Sequence, residues 1–279
     1  WSSDVCSSDL PLPSGHGPKP PHADMVDRDA FVAHCNQLLQ PSLFKDYAPN
    51  GLQVEGTAQV RHVVSGVTAS RALIEAAIEA KADTLLVHHG LFWRGQDGRV
   101  TGWLKHRLSL LLAHDINLLA YHLPLDAHET LGNNAQLGLR MGWQVHGRFG
   151  EQRLGWLGSP AQAATQAQAL TRDLQTMLGT QPVAVVPDPA RPIRTIAWCT
   201  GGAQSWFEAA IAEGVDAFVT GEISEPQAHL ARETGVAFFA CGHHATERYG
   251  APAFAAHVCD AMGLTHRFRS EEHTSELQS

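Results

Sequence analysis

The sequence predicts an α/β fold, with sheets covered by helices, on a duplicated plan. Three observations predict it. Short apolar strands alternate with amphipathic helices. Several strands read as unbroken apolar runs, the pattern of strands buried on both faces. One stretch of the pattern echoes another. The 279 residues, 44% hydrophobic and 17% charged, suffice for one large domain or two small ones.

Taken in order, residues 27–40 place Phe31, Val32, Leu38 and Leu39 on a helix with acidic residues early. Tyr47-Ala-Pro-Asn-Gly-Leu52 is loop chemistry. Residues 62–67 predict a strand, and Ser70 caps a helix over 71–80. Residues 84–87 predict a buried strand that runs into His88-His89-Gly90. A helix over 103–113, a strand over 116–121 ending at His122, and a helix over 131–141 follow, with Pro124 arguing against a regular helix from His122 to Asp126. After Gly142 the pattern restarts with a helix over 161–178 and strands over 183–186 and 195–199. It continues with helix 206–213, strand 217–220, helix 225–233, strand 236–241 and a last helix over 247–261.

The echo aligns residues 68–87 with 201–220, an offset of 133 positions. Glu75-Ala-Ala-Ile78 and Asp83 meet Glu208-Ala-Ala-Ile211 and Asp216. Alanine-rich helices resemble one another by chance, so the sequel matters more. Each copy continues through a helix to an apolar strand that delivers a histidine and, four residues on, an acid: His122 and Asp126, then His243 and Glu247. This reads as one α/β unit present twice.

Composition excludes several function classes. The formal net charge is −8, close to −4 over residues 25–268, which argues against nucleic acid as a partner. No run of 18 apolar residues is present, so no membrane-spanning helix is predicted. Five widely spaced cysteines do not form a disulfide framework and suit a reducing, cytoplasmic compartment. Cys199 and Cys241 read as buried small residues. Residues 1–10 and 269–279 back-translate to the two strands of one DNA duplex, as a sequencing adapter read along with its insert would. They are expected to carry no fold, and the second is expected to stand in place of a native final strand. Residues 11–24 are Pro-rich, lack the apolar core of a signal peptide, and precede Met25, the expected start.

The unusual count is histidine, at 17. Three clusters follow predicted strands: His88-His89, His122-Leu-Pro-Leu-Asp126-Ala-His128, and His243-His244-Ala-Thr-Glu247. Each alone is weak evidence, since paired histidines are commonly hydrogen-bonded loop residues and Asp126 or Glu247 suits a helix N-terminus. Together, beyond the carboxyl ends of strands where α/β folds bind ligands, they predict a metal site. Imidazole with carboxylate suits Fe, Zn, Mn and Ni without distinguishing them. Five or six N/O ligands exceed the need of one tetrahedral zinc, so the count favours two divalent ions per subunit. His128 and His244 read as hydrogen-bonded neighbours of the ligands or as exposed. Residues 47–55 form a structural turn or a pocket-lining loop offering Asn50, Gln53 and Glu55. Residues 132–134 read as a helix cap or a ligand-facing loop, and Thr68 and Ser70 suit a phosphate at a helix N-terminus, without a P-loop. Glu222 sits where the His-His pair falls in the second copy, and reads equally as a solvated helix start. No Ser/His/Asp or Cys/His nucleophile arrangement is evident.

Asp46-Tyr-Ala-Pro-Asn-Gly-Leu-Gln-Val-Glu-Gly56, Gly66-Val-Thr-Ala-Ser70, Val87-His-His-Gly90, His122-Leu-Pro-Leu-Asp-Ala-His128, Gly132-Asn-Asn134 and Gly242-His-His-Ala-Thr-Glu-Arg248 occur in this order. Over residues 25–268 the chain thereby resembles the dinuclear-metal-centre family, also called NGG-interacting factor 3-like, whose bacterial members are labelled GTP cyclohydrolase 1 type 2 homologues. The resemblance implies two interlinked α/β domains with mixed sheets, residues 25–130 plus 235–268 carrying the metal ligands and residues 131–234 forming the second. It implies a toroidal homo-hexamer with the metal pairs facing its inner cavity, in the compact form, because residues 142–192 leave no room for an inserted domain. Carried over, His88, His89, Asp126, His243 and Glu247 would be the ligands, Glu247 bridging both ions, and His122 a sixth ligand or a ligand's partner. The implied activity is metal-dependent hydrolysis of a small nucleotide. For GTP, a metal-bridging water would open the imidazole ring with loss of formate, with His122, His128, His244 or Glu55 assisting. The alternative is a noncatalytic metal-binding assembly or regulatory protein, distinguished by whether a coordination position stays open. A nucleic-acid-clamping ring is a third reading that the acidic charge opposes.

Overall fold

A computed structural model describes residues 25–162 and 164–270. Apart from Arg269 and Ser270, the adapter-like ends lie outside the described residues, as do residues 11–24. The chain begins β1 (Val26–Asp27), α1 (Arg28–Leu39), β2 (Gly51–Val54), β3 (Gln59–Val60), β4 (His62–Thr68), α2 (Arg71–Glu79), β5 (Thr84–His89), α3 (Gly102–Ala113), β6 (Asn117–Ala120), α4 (Leu123–Ala127) and α5 (Asn133–Arg140). Then come β7 (Gln144–Phe149), β8 (Gly155–Ser159), β9 (Thr165–Gln166), α6 (Ala167–Leu178), β10 (Val183–Val185), β11 (Pro192–Ile193) and β12 (Ile196–Trp198). The chain continues with α7 (Phe207–Ala212), β13 (Ala217–Thr220), α8 (Glu225–Thr234), β14 (Ala237–Ala240), α9 (His243–Glu247), α10 (Gly250–Met262) and β15 (Thr265–Phe268).

Two mixed sheets result. The first has the order β15-β4-β5-β6-β2, its first four strands parallel and β2 antiparallel to β6. The second has the order β10-β14-β13-β12-β8-β7, with β12, β13 and β14 parallel and the outer pairings antiparallel. Burial on both faces explains the apolar runs. From β5, Leu86 packs with Phe31 of α1 and Phe254 of α10, while Leu85 and Val87 pack with Ile74 of α2 and Leu111 of α3. In the second sheet Trp198, Val219 and Phe239 pack against Leu170 and Leu174 of α6, while Phe218 and Phe238 pack against Phe207 of α7 and Ala231 of α8.

The duplication is visible in backbone hydrogen bonds. Asp83 Oδ2 accepts the N–H groups of Arg61 and His62 at 2.8 and 3.0 Å. Asp216 Oδ2 accepts those of Arg194 and Thr195 at 2.9 and 3.1 Å. All three positions are related by the 133-residue offset read from the sequence. In each copy an aspartate before one parallel strand clamps the start of its neighbour.

The structure also differs from expectation. β14, grouped by sequence with the first unit, pairs with β13, so the chain returns to the first sheet after residue 240 rather than at 235. The stretch expected to be irregular around Pro124 is the single helical turn α4, because proline is tolerated where a helix begins and has no N–H to satisfy. The expected helix over 247–261 is two helices, with Glu247 closing the first. The helix expected from 161 starts at 167, after the short strand β9. β15 forms the edge of the first sheet and ends at Phe268, ahead of the segment 269–279 expected to stand in place of a native strand, most of which lies outside the described residues.

Candidate metal centre

The parallel strands of both sheets end at one place. β5 delivers His88 and His89. β6 leads into α4, which carries Asp126 one turn after His122. β14 leads through Gly242 into α9, which carries His243 and Glu247 on one face at helical spacing. His88, Asp126 and Glu247 are buried, at 0, 8 and 3% exposure.

Each imidazole is held through its Nδ1. His88 Nδ1 lies 2.9 Å from the Tyr121 carbonyl, which can only accept, so Nδ1 carries the hydrogen. His243 Nδ1 lies 2.6 Å from Glu222 Oε1, and His122 Nδ1 lies 2.9 Å from Asp46 Oδ1. His89 Nδ1 lies 3.1 Å from the Thr68 hydroxyl. The Nε2 atoms then meet carboxylate oxygens: His88 to Asp126 Oδ1 at 3.6 Å and Glu247 Oε1 at 3.5 Å, His89 and His243 to Glu247 Oε2 at 3.3 and 3.1 Å. A neutral imidazole with its hydrogen on Nδ1 aims a lone pair from Nε2 at an anion. That arrangement needs a positive charge in between, a proton or a metal ion. Buried His88 Nε2 and Glu247 Oε2 make no hydrogen bond among the described residues.

Donor chemistry and spacing fit a metal. Three groups have ligand atoms within 4.8 Å of one another: His88, Asp126 and Glu247; His89, His243 and Glu247; and His88, His89 and His122. An ion about 2.1 Å from each ligand atom holds those atoms about 3.0–3.4 Å apart, close to the separations above.

Titration behaviour expresses the same charge pattern. Burial opposes protonation of His88, yet Asp126 and Glu247 carry its pKa up to about 9. Burial likewise opposes His243, which Glu247 and Glu222 raise to about 10. Burial, partly offset by Glu247 and reinforced by the neighbouring histidines, takes His89 down to about 3. In chelator-treated protein the two raised groups contribute stability that is fully present below the ordinary histidine value of about 6.5 and is lost as pH rises through about 9 to 10. The thermal midpoint of that protein is therefore expected to fall by several degrees between pH 7 and pH 10, and a constant midpoint would contradict the assignment.

Beside the cluster lies a cavity of about 890 Å³. His89, His122, Asp126, His243 and Glu247 line it. Its walls also include Lys45, Arg94, Arg107, Tyr47, Trp93 and Trp103. The Trp93 ring stands 5.2 Å from that of His122 and 5.9 Å from that of His89.

The sequence model of the Duf34/NIF3 (NGG1p interacting factor 3) family matches residues 26–275. The chain belongs to this family. A Duf34/NIF3 relative from Neisseria meningitidis serogroup A, named GTP cyclohydrolase 1 type 2 homolog, is 57% identical over 86% of this chain and 96% of its own length. A protein of the same name from Pseudomonas aeruginosa is 50% identical over 85% of this chain and 94% of its own length. The solved structure of protein ybgI, described as of unknown function, superposes with a TM-score of 0.86 at 41% identity, covering 89% of this chain and 100% of that one.

Among the expected site residues, His88, His89, His122, Asp126, His243 and Glu247 come together. The other three candidates sit elsewhere. Glu55 is exposed and pairs with Arg28 at 3.1 Å. His128 Nδ1 accepts the Leu131 N–H at 3.1 Å. Neither they nor His244 line the cavity. Asn50 and Gln53 brace loops: Asn50 Oδ1 accepts the His122 N–H at 2.7 Å and Gln53 Oε1 accepts the Leu91 N–H at 2.9 Å. Sequence reasoning gave Asp46 no role beyond its place in the motif. Its carboxylate accepts from Tyr47 N–H, Leu123 N–H and Asn50 Nδ2 as well as His122. Burial works against that carboxylate, but the hydrogen bonds from His122 and Asn50 hold it well below its usual range.

Proposed function

We propose that the cluster is a dinuclear divalent-metal centre, with His88, His89, Asp126, His243 and Glu247 as ligands, and that it hydrolyses a small nucleotide. One observation carries the reading: the two oxygens of Glu247 face different histidines, so a single buried carboxylate serves two ligand groups. Bound divalent ions would supply Lewis acidity and a water molecule that ionises near neutral pH.

The chain's own residues do the remainder. Tyr121, Thr68 and Glu222 fix the rings of His88, His89 and His243. Asp46 holds a hydrogen on Nδ1 of His122 at the cavity wall. Tyr47 and Trp93 stand edge-on to the His122 ring, with centroids 4.9 and 5.2 Å away, and line the cavity beside the cluster. Lys45, Arg94 and Arg107 set positive charge among aromatic rings, a lining that suits a planar base with an anionic tail. The cavity volume is in the range of small-molecule sites, about 300–1,000 Å³. A centre serving structure alone would be closed by protein ligands; an adjoining cavity favours turnover instead.

The name shared by the Neisseria and Pseudomonas relatives supplies the reaction to test: opening of the GTP imidazole ring with release of formate. We further propose the division into two interlinked domains and assembly of a homo-hexameric ring with these sites facing its inner cavity. The experiment loads the full chain separately with Mn(II), Fe(II) and Zn(II), incubates each with GTP and quantifies formate. Formate in proportion to metal-loaded protein is expected. None, from protein carrying two ions per chain, would rule out the cyclohydrolase reaction.

A further inference from the structure

We propose that Glu222, which is not a member of any of the ligand groups among the described residues, is a positioning residue that makes His243 a metal ligand; the inference rests on the dinuclear reading above. Glu222 follows β13, at the position equivalent to His89 under the 133-residue offset. The first copy thus places a ligand where the second places a carboxylate.

The geometry gives that carboxylate its task. Glu222 Oε1 lies 2.6 Å from His243 Nδ1, in the range of charge-assisted hydrogen bonds. An ionised carboxylate only accepts, so Nδ1 keeps its hydrogen and the ring's lone pair is fixed on Nε2, which faces Glu247 Oε2 at 3.1 Å. Gln204 Nε2 donates to Glu222 Oε2 at 3.2 Å and fixes the carboxylate in turn.

His243 depends on this brace more than His88 does. The side chain of His88 is fully buried and held by a backbone carbonyl, whereas that of His243 is 39% exposed on the first turn of a five-residue helix. Its ring would otherwise rotate or present the other nitrogen. A carboxylate behind a metal-bound imidazole also raises its basicity, and loss of such a partner commonly weakens metal affinity 10–100-fold. The effect should fall on the ion that His243 shares with His89 and Glu247, and spare the one held by His88 and Asp126. Asp46 and His122 form the corresponding pair in the first copy, at 2.9 Å. The duplicated unit therefore carries two histidines after equivalent strands, each oriented by a carboxylate from elsewhere in the chain.

The test is equilibrium dialysis of the full chain against Mn(II), with metal analysis, comparing wild type with Glu222→Ala and Glu222→Gln. In Glu222→Ala one of two affinities should weaken about 10–100-fold while the other stays within about twofold. Glu222→Gln keeps an acceptor for Nδ1 and should lie between, which preserves the test if the alanine variant folds poorly. Two affinities both unchanged, or both weakened alike, would overturn the assignment. Wild-type protein that takes up none of Mn(II), Fe(II) and Zn(II), each dialysed in the same way, would overturn the metal centre itself, and Glu222's role with it, before any variant is compared.

Discussion

Glu247→Gln is expected to reduce the metal content from two ions per chain to one or none and to abolish formate release from GTP. The substitution keeps the shape of the side chain and removes its charge. Glu247 is 3% exposed and its oxygens lie 3.5, 3.3 and 3.1 Å from the Nε2 atoms of His88, His89 and His243. Burial alone would favour a neutral carboxyl, yet His89 and His88 hold it ionised, well below the usual range. Among the three ligand groups, Glu247 is the carboxylate common to the His88–Asp126 group and the His89–His243 group. Loss of a residue that merely orients a ligand costs about 10–100-fold in affinity, so loss of a ligand shared by two ions should cost at least about 100-fold. Metal analysis of the purified variant, with a formate assay at saturating Mn(II), checks this. A variant that keeps two ions and turns GTP over normally would remove Glu247 from the mechanism.

The second large effect concerns a residue with no side chain. Gly201 follows β12 with φ +73°, and a Cβ there would lie 2.0 Å from Glu247 Oε1 and 3.1 Å from His243 Nε2. Its backbone has little freedom to retreat. The N–H donates to the Thr246 hydroxyl at 3.0 Å, and the carbonyl accepts from Thr220 Oγ1 and Gly221 N–H at 3.1 and 2.9 Å. In Gly201→Ala the carboxylate must therefore move. The left-handed backbone costs about 1–2 kcal/mol and overpacking about 1–3 kcal/mol more. Gly214→Ala separates the two contributions, since Gly214 has φ +74° but nothing within 4 Å of a Cβ. Denaturant unfolding should place Gly201→Ala well below Gly214→Ala, and only the former should lose metal. Equal stability of the two variants, with normal metal content in both, would show that Gly201 does not hold the carboxylate in place.

Much of the fold was legible because the central strands are buried on both faces, and residues such as Leu85, Leu86, Leu118 and Leu119 read as unbroken apolar runs. The histidines and acids were legible because they end those strands. The hairpin β7–β8 was not read. β7 is largely exposed, and Gly147 follows a register shift, so neither an apolar run nor a clean alternation marks it. β2 was hidden within a turn-rich segment, being an edge strand of four residues with its own irregular register. Asp46 went unassigned because it reaches His122 from 76 positions away, and no local pattern encodes that contact. Trp93 and Arg94 lie in a loop without periodicity. His244 does not line the cavity, for a helical reason: successive helical residues point about 100° apart, while Glu247, four residues on, returns to the face of His243.

The central claim is that one buried carboxylate joins two metal ions at the meeting point of the two sheets. Anomalous diffraction from crystals of the Mn(II)-loaded full chain tests it most directly. Two peaks are expected, both at bonding distance from Glu247, one also touching His88 and Asp126 and the other His89 and His243. A single peak, or peaks away from Glu247 in protein shown to hold two ions, would contradict the account.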